Sequence, residues 1–149
     1  MSSAQIATLK HIARVRELLG QFAVDMIRRG DVHDASKLDS VEMDLIQLWQ
    51  DLIEQEGPAE FGSKEFERRM EMMGPMLEHH HTNNAHHPEH YPNGVAGMDL
   101  CDLVEMFFDW KAAAEGGGNG TFDPEPAIAK YSIEPQLASI LRNTASRLG

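Results

Sequence analysis

Three groups of residues in this 149-residue chain are of the types that hold metals or move protons. The first is His33-Asp34. An imidazole nitrogen beside a carboxylate oxygen suits Mn, Fe, Co, Ni or Zn better than Mg. The second is the stretch from Glu78 to Tyr91, "EHHHTNNAHHPEHY", which carries six of the eight histidines. It could build a metal site, a phosphate-binding wall or a pH-sensitive surface. The third is Asp102, Glu105 and Asp109, spaced by 3 and 4 and therefore on one stripe of a helix. Leu103, Met106, Phe107, Phe108 and Trp110 surround them, and close carboxylates repel one another where they are buried. A metal or a histidine would relieve that repulsion; the plain alternative is a stripe facing water.

His11 joins Val15, Leu18 and Phe22 at helical steps, which predicts a buried face. It reads either as a ligand or as a core histidine bonded to a carbonyl or carboxylate. Lys37 follows His33 by one helical turn, where it could neutralise phosphate or simply pair with Asp34 or Glu42. His81 and His90 are assigned to the surface. Trp49, Trp110 and the Met-rich run 70–76 read as core, with an aromatic platform for a base as the other reading.

Helices must position these groups. The spacing predicts one over 3–28, capped by Ser3 and ended by Gly30. After a short piece at "DVHDASKL", Asp39 or Ser40 starts "VEMDLIQLWQDLIEQE", stopped at Gly57-Pro58. Ser63 caps "KEFERRMEMMGPMLEHHH", with Pro75 as a kink or break. Residues 82–97 read as loop. A further helix runs through "MDLCDLVEMFFDWKAAAE", a Gly- and Pro-rich linker follows, and "EPQLASILRNTASRL" is the last helix, with Pro135 in its first turn. The linker, 115–126, is a connector or a lid. The expectation is an all-α protein: one compact domain over 1–149 of five to six helices, its core at about 3–115 and the helix 134–148 packed on it.

A net charge of -11 argues against a broad nucleic-acid groove and is compatible with bound divalent cations or with plain solubility. No apolar run approaches the roughly 20 residues of a membrane span. The N-terminus lacks a signal peptide's apolar stretch. Cys101 is the single cysteine. A reducing, cytoplasmic setting is the expectation. No stripe demands a homodimer, which stays open.

The order His, His-Asp, His cluster and late carboxylate resembles that of the HD-domain superfamily. "HDASKL" looks like its HD-x-x-K variant, and "HHPEHYPNGVAG" is loosely similar to the GYP segment of one branch. The likeness is closer to a family of small, uncharacterised phage and bacterial HD-like proteins with HD-x-S-K, H-H-x-x-x-N-x-H-H and E-M-x-x-D-W. Here these stand as "HDASK" at 33–37, "HHHTNNAHH" at 79–87 and "EMFFDW" at 105–110. The resemblance implies a helical metal-binding core in which His11, His33, Asp34 and Asp109 hold one divalent ion (Mn, Co, Ni, Fe, Zn or Mg). Asp102 is the alternative closing ligand. His86 and His87, with His79 and His80, would supply a second ion or bind phosphate. The two histidine pairs lie closer together than in the two-metal branches.

The activity implied is hydrolysis of a small phosphorylated molecule such as a nucleotide. Lys37 and Asn84 would contact substrate, His79 and His80 would donate to phosphate or protonate the leaving oxygen, and Glu105 would orient a ligand or act as base. A di-iron oxygenase is the alternative within enzymes. A non-catalytic module binding a nucleotide or a protein partner is the alternative from another class, and a structural protein with a histidine-rich surface is a third reading.

Overall fold

Ser2 opens the first helix with a reciprocal cap: its hydroxyl accepts from the Gln5 backbone N–H at 3.2 Å, and its own N–H donates to the Gln5 side chain at 2.7 Å. In the computed structural model, which describes residues 1–60, 63–116 and 122–148, this helix, α1, spans Ser3–Val32. Its cap thus lies one residue before the expected Ser3, and the helix runs through Gly30, since a single glycine weakens a helix without ending it. Residues Met1–His33 form one unit and Asp34–Gly149 a second. The first unit is a lone helix and has no core of its own. None of its residues is buried, and His11, read from its spacing as facing a core, is exposed.

The second unit begins at Asp34, whose left-handed backbone (φ 55, ψ 20) heads the 3-10 turn Ala35–Leu38. Aspartate tolerates this region better than most residues with a Cβ. Then come α2 (Ser40–Glu56), α3 (Lys64–Met72) and α4 (Gly74–Asn83). Gly57 closes α2 at φ 79, donating its N–H to the Ile53 carbonyl at 2.9 Å. Ser63 caps α3 by accepting from the Phe66 N–H at 3.1 Å. Pro75 sits in the first turn of α4, so the expected break yields two separate helices. Arg69 on α3 is buried, donating to Glu65 (2.7 Å), Glu56 (3.0 Å) and the Gly57 carbonyl (2.9 Å).

Short 3-10 turns at Pro88–His90 and Gly94–Gly97 lead into α5 (Leu100–Gly116), followed by α6 (Glu125–Lys130) and α7 (Pro135–Leu148). Seven α-helices and no strand stand among the described residues, so the all-α expectation holds with α6 added to it. That helix occupies part of the stretch expected as linker. Pro126 in its first turn is compatible with a helix start. Residues 117–121, within the segment 115–126 considered as a lid, lie outside the described residues.

Two layers place the chemistry. α2 packs chiefly on α4 and on the turn Ala35–Leu38. Beside them Ile46, Trp49, Met70, Met73, Met76 and Leu77 line an apolar cavity of about 230 Å³. The other layer is a core of Phe107, Ile128, Ile133, Ala138 and Leu141, which fixes α5 against α6 and α7. Each large side chain buried there contributes on the order of 1.5–3 kcal/mol. Trp110 stacks on Tyr131 at 5.7 Å, nearly parallel. No described helix is long and apolar enough to cross a membrane.

Candidate metal centre

Asp34, His80, His86 and His87 each offer one ligand-type atom, and these atoms all lie within 4.8 Å of one another. Three segments deliver them: Asp34 from the left-handed turn, His80 from α4, and His86 and His87 from the loop just beyond its end. Oδ1 of Asp34 stands 3.4 Å from Nε2 of His80 and 3.4 Å from Nε2 of His86. Nε2 of His80 and Nε2 of His87 are 2.8 Å apart. An ion with bonds of about 2.0–2.2 Å separates its ligand atoms by roughly 3.3–3.5 Å across a tetrahedral edge and about 2.9 Å across a right-angle edge. The donor set and its spacing therefore fit a first-row divalent ion.

The electrostatics agree with ligand duty. Burial, followed by the neighbouring His86, His80 and His81, pushes the His87 imidazole down to about 3. It is therefore neutral at ordinary pH, the form that binds metals. His80 and His86 are buried. Nδ1 of His86 faces Oε1 of Glu105 at 3.2 Å, leaving Nε2 toward Asp34. Asp34 offers its other oxygen, Oδ2, to Lys37 Nζ at 2.5 Å. A carboxylate oxygen of Asp109 comes within 4.8 Å of one from Asp34.

Several expectations change. Asn84, read as a substrate contact, is buried and committed to structure: its amide donates to Ser36 Oγ at 2.7 Å and to the His80 carbonyl at 2.8 Å. Asp102, the alternative closing ligand, is buried and stands in none of the ligand-type groups among the described residues. It accepts from Tyr91 Oη at 2.6 Å and from the Asp99 N–H at 3.1 Å, fixing the loop before α5. The carboxylate stripe of α5 does not face water as a whole, because Asp102 is buried and Glu105 and Asp109 are half-buried.

His79 and His80, expected in one role, separate. His80 joins the converging group, while His79 turns Nδ1 to Glu42 Oε1 at 2.7 Å. His81, assigned to the surface, is half-buried and forms a second ligand-type group with His87 and Glu89. His90 is exposed and donates to the His81 carbonyl at 2.8 Å. His11 lies in mid-α1 and His33 caps its C-terminus; both belong to the first unit.

One residue escaped the sequence reading. Glu42 is fully buried, with Oε1 on His79 and Oε2 on Nδ1 of His80 at 2.9 Å. Burial pushes its carboxyl up, but hydrogen bonds from His79, Ser36 and His80 outweigh this and hold it below the usual range. A signal was present: Glu42, Ile46 and Trp49 share one stripe of α2, so an acid stands where the pattern calls for an apolar residue.

Neither curated proteins nor solved structures match the chain. A family model, described as a family of unknown function (DUF5662), matches residues 2–147. The match covers both units and every residue of the candidate centre, and the chain belongs to that family.

Proposed function

We propose that the protein is a metal-dependent phosphohydrolase of HD type acting on a small phosphorylated molecule such as a nucleotide. The observation that carries this reading is the grouping of ligand-type atoms of Asp34, His80, His86 and His87 within 4.8 Å of one another, with Oδ1 of Asp34 3.4 Å from Nε2 of both His80 and His86. Three imidazoles and one carboxylate favour Mn, Fe, Co, Ni or Zn over Mg. A bound ion would polarise a phosphate oxygen and lower the pKa of a water that attacks phosphorus.

The chain's own groups take the remaining tasks. Lys37 is about half exposed and holds its ammonium beside Asp34, where it binds phosphate oxygens. His79, part-exposed beside the centre, keeps Nδ1 on Glu42 and carries the proton for the leaving oxygen on its other nitrogen. Glu105 holds His86, and Asp109 adds negative charge next to Asp34.

The test is metal analysis of purified protein by mass spectrometry, followed by assay of phosphate release from nucleoside phosphates and other monoesters with each first-row ion. The expected result is bound metal and metal-dependent release in the wild type, with both lost in Asp34→Ala. Absence of metal after reconstitution would sink the reading. Two irons with oxygen-consuming turnover would replace it with oxygenase chemistry.

A further inference from the structure

We propose that Glu42 is the positioning residue of this centre: one buried carboxylate that fixes His80 as a metal ligand and His79 as a proton carrier. The proposal rests on the metal-centre reading above. Both carboxylate oxygens are engaged, Oε1 with Nδ1 of His79 at 2.7 Å and Oε2 with Nδ1 of His80 at 2.9 Å. A carboxylate oxygen at these distances from an imidazole nitrogen accepts, so each ring presents Nδ1–H to it.

The rest of the network favours the same arrangement for His80. Its Nδ1 also lies 3.2 Å from Asn84 Nδ2 and 3.4 Å from Ser36 Oγ. The two amide hydrogens of Asn84 already go to Ser36 Oγ and the His80 carbonyl. The Ser36 hydroxyl accepts from Asn84, and its contact with Nδ1 of His80 is the longest that nitrogen makes, at 3.4 Å. Glu42 Oε2 is the nearest of these partners, at 2.9 Å, and a carboxylate oxygen accepts, so Nδ1 of His80 carries the hydrogen and gives it to Glu42.

Nε2 of His80 is then a bare lone pair directed at the cluster, 3.4 Å from Asp34 and 2.8 Å from His87. In the metal-free protein the His87 contact is His87 Nε2–H donating to it. A carboxylate behind a ligand histidine fixes the ring's tautomer and orientation and raises its basicity. The same carboxylate does this for His79, whose Nε2 is left for exchange with substrate. Glu42 is fully buried at side-chain level, so its charge needs nearby compensation, which a cation at the far side of His80 would supply.

The experiment follows the histidine ring nitrogens by long-range 15N NMR in metal-free protein, and zinc binding by calorimetry, in wild type, Glu42→Gln and Glu42→Ala. The wild type should show His79 and His80 protonated at Nδ1. Glu42→Gln keeps one accepting oxygen and should release one ring from that tautomer. Glu42→Ala should release both. Zinc affinity should fall about 10- to 100-fold in either variant. If Glu42→Ala does not fold, Glu42→Gln, nearly the same shape, carries the test alone. An Nε2–H tautomer for His80 in the wild type, or unchanged zinc affinity in folded variants, would overturn the proposal. A wild type with the stated tautomers that binds no zinc would instead overturn the metal-centre reading and leave the tautomer assignment standing.

Discussion

His86 and Glu105 face one another with Nδ1 3.2 Å from Oε1, and this contact aims the other ring nitrogen at Asp34. His86 is almost entirely buried and the Glu105 side chain is only 12% exposed, so neither moves freely. Glu105→Ala should therefore lower zinc affinity roughly 10- to 100-fold while circular dichroism keeps its helical signal. Calorimetric titration checks it; unchanged affinity would show that packing alone orients the ring.

Lys37 offers a way to separate substrate contact from structure. Its ammonium meets Asp34 Oδ2 at 2.5 Å, and its side chain is about half exposed. Lys37→Ala should raise KM for a phosphorylated substrate by roughly one to two powers of ten, the worth of a hydrogen bond to a charged group. Metal content should be retained. Were the lysine only a partner for Asp34, metal affinity would change instead and KM would stay.

Asn84 should behave as a structural residue. Replacing it with alanine leaves the Ser36 hydroxyl and the His80 carbonyl to find other partners in a buried place. The cost should be on the order of 1–3 kcal/mol, read as a lower midpoint in urea. An Asn84→Ala protein of wild-type stability with weakened substrate binding would return the residue to the substrate.

The corner between α2 and α3 should loosen in acid. The Arg68 and Arg69 guanidiniums hold the Glu65 carboxyl at about 2, against an ordinary 4.5. Between these values the unfolded chain binds more protons than the folded one, so stability rises with pH. The contribution is complete above about 4.5 and is lost as pH falls through about 2. Glu65→Gln should thus lower the urea midpoint at pH 6, and the gap from wild type should close toward pH 2. Because Glu65 is exposed, the gap should be small.

Local chemistry alone determined much of this protein. Helical periodicity, the stop at Gly57, the cap at Ser63 and the break at Pro75 depend on near neighbours and were legible along the chain. So were the residue types fit to hold a metal, because six histidines in fourteen residues stand out without any fold. Only the tertiary structure decided which of them converge. His79 and His80 are adjacent in sequence, and α4 packed on α2 sets both against Glu42, yet it is His80 that joins the ligand-type group with Asp34. Asp102 and Asp109 share a stripe of α5, yet a tyrosine eleven residues before Asp102 occupies it. Glu42 itself lies 38 positions from His80, a distance no helical period spans. Whether a carboxylate becomes a ligand, a clamp or a surface charge depends on what packs against it, and that packing comes from parts of the chain far apart in sequence.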